Sequence, residues 1–139
     1  MDDCIFCKIA VNELPSTRVY EDQKLLAFMD INPAVHGHCV LIPKDHHQDI
    51  YTMPEDLLRD LIATAKPLAK AITTGLNADG LNLFQSNGRA AMQFIDHFHL
   101  HFFPRWHNDS LKLGSWEARK GDMKEIAEAA AAIKASLTI

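Results

Sequence analysis

The chain has 139 residues, 47% of them hydrophobic and 23% charged, the balance of one ordinary globular domain (residues 1–139) with room for a single core. Lys and Arg number 14 against 18 Asp and Glu, a net charge of −4. That excludes a broad basic surface, so neither a nucleic-acid nor a membrane partner is expected, although a local phosphate pocket is compatible with it.

No apolar run approaches a membrane span, and "MDDCIFCKIA" is acidic and too short in its apolar part to read as a signal peptide. Cys4, Cys7 and Cys39 are an odd, sparse set. They argue against a secreted disulfide framework and for a cytoplasmic protein. Cys4 and Cys7 have the C-x-x-C spacing of a zinc knuckle, which by itself is half a site. Cys39, alone on a strand, reads as a small core residue.

Along the chain, "RVYED" and "KLLAFMD" predict two short strands in an early hairpin. "INPAVHG" is loop, and "HCVLIP" is an apolar strand stopped by Pro43. "TMPEDLLRDLIATAKPLAKAITT" has helical spacing, with Leu57, Leu58, Leu61 and Ile62 as its apolar stripe. Thr52 and Glu55 stand as a capping box with Pro54 in the first turn, and Pro67 should kink or split the helix. "LNLFQSNG" and "DHFHLHFFP" return to strand character around the loop "NGRAAMQ". The stretch from Trp116 to Leu137 is rich in alanine, lysine and glutamate and should be helical. Strands interrupted by one central helix predict an α+β fold on an antiparallel sheet.

"HFHLHFFPR" carries the chemistry. On a strand, His97, His99 and His101 share one face, while Phe98, Leu100 and Phe102 share the other. A single histidine there would be an ordinary tolerated residue; three in strict register point to a site. They suit either one catalytic metal with an open position or a nucleophilic imidazole oriented by its neighbours. The segment alone does not decide between them.

The segment resembles the His-x-His-x-His signature of the histidine triad (HIT) family of nucleotide hydrolases and transferases. "CIFCKIAVNELPSTRVYEDQKLLAFMDINPAVHGHCVLIPKDH" resembles the N-terminal half of bacterial members. "NGRAAMQFIDHFHLHFFPR" matches the family's NGxxAGQxVxHxHxHxxPR in spacing. The resemblance implies a HIT fold: about five antiparallel strands, one main central helix and a C-terminal helix, paired into a larger sheet in a homodimer.

It further implies that His99 attacks an α-phosphorus and carries a transient nucleotidyl group. His101 would stabilise the developing charge or assist the leaving group, and His38 would complete the cluster. Asn87 and Gln93 correspond to phosphate or sugar contacts, and Asp30 to the carboxylate that accepts ribose hydroxyls. Phe6, Ile9, Phe28 and Ile31 correspond to the apolar walls of the base slot of an AMP-like purine nucleotide, although a base slot and a core read alike in sequence. Met92 departs from the pattern, standing where the family usually has glycine, and Phe94 replaces a small hydroxyl residue.

The resemblance also joins Cys4 and Cys7 to His46 and His97 as a Cys₂His₂ structural zinc site, with His47 a weaker candidate for the position of His46. No catalytic metal is then expected. Two other readings stay open: a nucleotide-binding or signalling module with little catalysis, which Met92 favours, and a metalloenzyme with zinc on all three triad histidines. Amines, nucleotides, sulfate and fluoride all leave from adenylyl compounds in this family. Trp106, His107 and Trp116 would line an outer pocket for such groups or serve a dimer contact.

Overall fold

The computed structural model describes residues 3–113 and 120–139. In chain order the elements are α1 (Ile5–Ala10), β1 (Arg18–Glu21), β2 (Leu25–Met29), β3 (Cys39–Pro43), α2 (Glu55–Gly75), β4 (Gly80–Phe84), β5 (Leu100–Arg105) and α3 (Met123–Ser136). The five strands form one antiparallel sheet in the order β1-β2-β3-β5-β4. The α+β architecture expected from the sequence is the one observed.

Alternation along β2 and β3 gives the sheet two apolar faces. Leu25, Ala27, Cys39 and Leu41 join Leu61, Ala65, Leu68 and Ile72 of α2 in one core, together with Phe98, Leu100 and Phe102. Leu26, Phe28, Val40 and Ile42 point the other way and pack with Phe6 and Ile9 of α1. A side chain buried in such a cluster contributes about 1.5–3 kcal/mol through the water it no longer touches. Leu61, Ala65, Leu68 and Ile72 recur at helical spacing, so α2 presents one continuous stripe to the sheet. Ile62, one position off that stripe, is 54% exposed rather than part of it.

Three local expectations are corrected. α2 runs unbroken through Pro67; the missing proline N–H leaves one carbonyl in the preceding turn unpaired, and packing on the sheet outweighs that loss. Pro54, not Thr52, is the N-cap, and it makes no side-chain cap bond. The Thr52 hydroxyl instead bonds back to Asp49, accepting its N–H at 3.2 Å and donating to its carbonyl at 3.1 Å. β5 begins at Leu100 rather than at Asp96, because residues 93–99 are held by loop contacts, among them the Phe98 N–H on the His47 carbonyl at 2.6 Å.

α1 was not foreseen. Cys4 caps it, its sulfur accepting the Cys7 N–H at 3.4 Å. α3 starts at Met123, with Asp122 accepting the Lys124 and Glu125 N–H groups. The expected N-terminal turn of that helix from Trp116 lies largely outside the described residues.

Candidate active site and metal centre

The register of the sheet builds one cluster on the α1 side. Cys39 opposes Phe102 and Val40 opposes His101, while Phe84 of β4 opposes His101 from the other flank. His38, Val40, His101 and Phe84 therefore share a face with Phe28. His38 Nε2 lies 2.8 Å from His101 Nδ1. Phe84 stacks on the His101 ring at 4.7 Å between centroids, and Phe103 meets the His38 ring at 4.3 Å. His99, 6% exposed, lies against His101 at 4.7 Å and meets the edge of Phe6 at 5.2 Å.

Main-chain partners assign the tautomers. His99 Nδ1 is 2.7 Å from the His97 carbonyl, which accepts only, so Nδ1 carries the proton and Nε2 carries the lone pair. The Ala34 N–H donates to His38 Nδ1 at 3.2 Å. His38 Nε2 therefore holds the proton of the neutral ring and donates it to His101 Nδ1, which leaves His101 with Nε2–H. Asp30 Oδ2, 3.6 Å from His38 Nε2, faces that same proton. The cluster thus places a lone pair on His99 beside a donor on His101.

Burial keeps these rings neutral. It drives His101 down to about 3, with the neighbouring His99 and His38 acting in the same direction. It lowers His38 and His99 as well, while the Asp30 carboxylate pulls both upward. Nitrogen lone pairs are therefore available at neutral pH.

His97 turns to a second task. Its Nε2 donates to the Pro43 carbonyl at 2.7 Å, which leaves Nδ1 as lone pair. Nδ1 lies 3.3 Å from Cys4 Sγ and 3.5 Å from Cys7 Sγ, and His46 Nδ1 lies 3.3 Å from Cys7 Sγ. All four ligand atoms fall within 4.8 Å of one another. Zinc bonds of about 2.3 Å to sulfur and 2.0–2.1 Å to nitrogen place adjacent tetrahedral S and N atoms about 3.6 Å apart. The observed separations fit that, and the Pro43 carbonyl is the outer partner that orients a metal-binding imidazole. Cys4, Cys7, His46 and His97 thus meet as a set that can bind a metal.

Not every expected residue reaches the cluster. Phe6, Ile9 and Phe28 pack together in the core beside it, but Ile31 is 85% exposed and stands apart. Asn87 turns its amide inward: Oδ1 accepts the Ile50 N–H at 2.8 Å, and the amide group pairs with Gln85. Gln93 is buried, with Oε1 on the Gly88 N–H and Nε2 donating to the Gln48 and Ile95 carbonyls. Both amides build the loop before they could touch any ligand. Met92 caps the short turn Arg89–Ala91 at φ 67°, ψ 31°, the left-handed region in which a side chain is strained and glycine is not.

Trp106 bonds the Asn77 carbonyl and lies beside His36. It follows the far end of β5 from His101, and Trp116 lies outside the described residues. Sequence reasoning missed Phe84, Phe103, Pro43 and Ala34. Phe103 alone carried a signal, standing two residues after His101 and so on the same strand face; Phe84 belongs to a neighbouring strand's register and the other roles to main-chain atoms.

The fold and cluster define a class: one antiparallel sheet with a neutral histidine relay and a Cys₂His₂ set sharing a triad histidine. The HIT domain family model matches residues 11–108. An adenosine 5'-monophosphoramidase of Saccharomyces cerevisiae is 37% identical over 123 residues, 88% of this chain and 75% of the yeast protein. A crystal structure from Streptococcus mutans superposes with TM-score 0.92 at 34% identity, covering 98% of this chain and 86% of that one. A Zn-bound histidine triad family protein from Mycobacterium smegmatis superposes with TM-score 0.76 at 33% identity over 98% of this chain and 99% of that one. The chain belongs to the HIT domain family.

Proposed function

We propose that this protein is a nucleotide hydrolase or transferase that acts at the α-phosphate of AMP-like nucleotidyl compounds through a nucleotidyl-His99 intermediate. The observation that carries the reading is the His99 Nδ1–H on the His97 carbonyl, which leaves the lone pair of a neutral ring on Nε2, with His101 alongside. An imidazole needs no deprotonation before attack, and it leaves again when water or another acceptor arrives, so one hard displacement becomes two easier ones. His101 Nε2–H, backed by His38 and Asp30, donates to the departing group; placed proton transfer of that kind is worth roughly 10²–10⁴-fold. The similarity to a yeast adenosine 5'-monophosphoramidase supports an amine as one leaving group; dinucleoside polyphosphates are the other substrates proposed.

Phe6, Ile9 and Phe28 form the wall of the base slot, with Asp30 near the ribose. The phosphate meets the main-chain N–H groups of the loop that Asn87 and Gln93 hold in shape. Zinc on Cys4, Cys7, His46 and His97 closes a four-ligand structural site with no open position, so the chemistry stays with His99 and His101. The donor set and the Zn-bound mycobacterial relative support that metal. The protein works as a cytoplasmic homodimer, and the outer edge of β4, with Leu83 47% exposed, is the strand edge such pairing would cover.

The test is turnover of adenosine 5'-phosphoramidate with acid-quench mass analysis. Wild type should show an adenylyl adduct on the peptide containing His99, and His99→Ala should lose turnover while its thermal transition is kept. Full activity of His99→Ala across a panel of nucleotidyl substrates would end the proposal. Tight AMP binding with no turnover on that panel would instead favour the binding-module reading, to which the strained Met92 lends weight.

A further inference from the structure

His97 faces two ways. Its Nδ1 meets the sulfurs of Cys4 and Cys7, while its own carbonyl accepts the His99 Nδ1–H. Phe6 makes a second link. It sits between the two cysteines on α1, and its ring edge meets both His97 (5.9 Å between centroids) and His99 (5.2 Å). Whatever sets the four-ligand cluster therefore also sets, through one shared residue and one packed ring, where the His99 lone pair points. Cys4 and Cys7 are half-buried and reachable by a small oxidant. Cys39 is fully buried and out of reach of such an oxidant.

Resting on the nucleotidyl-transfer reading above, we propose that the Cys4–Cys7–His46–His97 centre is a thiol-gated clamp on the nucleophile. Oxidation of Cys4 and Cys7 to a disulfide expels the metal and slows turnover by freeing His97 and Phe6 from the positions that aim His99. His97 is the positioning residue in this scheme, acting through His99 rather than on substrate, while Phe6 links the same two rings and also walls the base slot. The oxidant is a peroxide. The two thiolates give up two electrons and form one S–S bond, hydrogen peroxide takes those electrons and two protons and leaves as two waters, and the metal departs as a hydrated divalent ion.

Disulfide sulfurs are not metal ligands, so only two imidazoles remain of a site that needs four. His97 Nδ1 is then a buried acceptor facing no donor, and its ring has cause to shift. The core between α2 and the sheet contains none of the four ligands, so the fold survives. Loss of outer-sphere support, or a displacement of about 1 Å at the reacting group, costs on the order of 10- to 100-fold. The loss should appear in kcat more than in KM.

The test uses the full chain, reduced and zinc-loaded, titrated with hydrogen peroxide. Zinc should appear in a chromogenic chelator in step with thiol loss, and kcat should fall in parallel while far-UV circular dichroism holds. The His99 ring ¹⁵N shifts should move from a pure Nδ1–H form to a mixture. Dithiothreitol plus zinc should restore everything; it does not reduce methionine sulfoxide, so oxidation of exposed Met92 or Met123 cannot mimic the effect. A Cys4→Ser/Cys7→Ser double variant should sit in the low-kcat state and ignore peroxide; if it fails to fold, chelator-stripped wild type serves as the metal-free state. Zinc loss that leaves the His99 shifts and kcat unchanged would overturn the clamp. If the reduced, loaded protein turns over no substrate, the functional reading fails on its own, and unchanged His99 shifts on zinc release would then overturn the clamp separately.

Discussion

Gln93→Met separates two roles for one amide. As a phosphate contact, Gln93 would matter to substrate and little to folding. The structure gives it three internal bonds: Gly88 N–H to Oε1 at 2.8 Å, and Nε2 to the Gln48 and Ile95 carbonyls at 2.7 and 3.1 Å. It is 1% exposed, so water does not replace them in place. Methionine keeps the unbranched shape and removes all three. At about 1 kcal/mol net for each bond, the loss is about 3 kcal/mol. With an unfolding entropy near 2.1 cal/mol/K per residue, a chain of this length loses roughly 3 °C for each kcal/mol, so Tm should fall by about 10 °C. Urea denaturation gives the free energy and a thermal scan gives the midpoint. A Tm within about 2 °C of the parent, together with a raised KM, would refute the scaffold role and return Gln93 to the phosphate.

Met92→Gly relieves a left-handed main chain at a side chain that is 70% exposed. The strain of about 1–2 kcal/mol, less the added chain entropy of glycine, should leave a gain of about 0.5–1 kcal/mol, whereas Met92→Val should destabilise; chemical denaturation of the pair gives the order. Acid stability should follow the buried imidazoles. His101 is driven down to about 3 by burial and its histidine neighbours, against 6.5 for an ordinary histidine. The unfolded chain therefore binds more protons between those values, so stability is full above about pH 6.5 and falls as pH drops toward about 3. His101→Gln should flatten the dependence of the urea midpoint on pH through that window, and an unchanged slope would contradict it.

How far the chain could be read ahead depended on the range of the interaction concerned. Alternation in "HFHLHFFP" separated the imidazoles from Phe98, Leu100 and Phe102 correctly, because period two is a property of the main chain alone. The meeting of Cys4 and Cys7 with His46 and His97 followed from family resemblance, and the geometry bears it out. What escaped was set by distant partners. The Gln93 amide is spent on Gln48, 45 residues away, and the Thr52 hydroxyl had two equally local uses, of which the turn to Asp49 won. α1 has six residues, too few for a periodic signal, and is defined by a cysteine cap and by packing against β2 and β3. The triad imidazoles stay apart from Phe98, Leu100 and Phe102 although β5 starts only at Leu100, because the Phe6 ring meets both His97 and His99, and loop bonds such as the Phe98 N–H on the His47 carbonyl hold the chain before the strand.

His38, His97, His99 and His101 are chemically the same side chain, yet one ring turns its lone pair to the sulfurs of Cys4 and Cys7, one keeps it on Nε2, and two share a proton. The difference comes from carbonyls of Pro43 and His97 and the amide of Ala34. No single codon specifies a carbonyl's direction. Replacing one of these rings deletes an imidazole but does not reverse its neighbour's polarity, because that instruction is carried by main-chain groups. The division of duties among the histidines is held as shape, and the way to rewrite it is at the main chain, as Ala34→Pro would by removing the one N–H that faces His38 Nδ1.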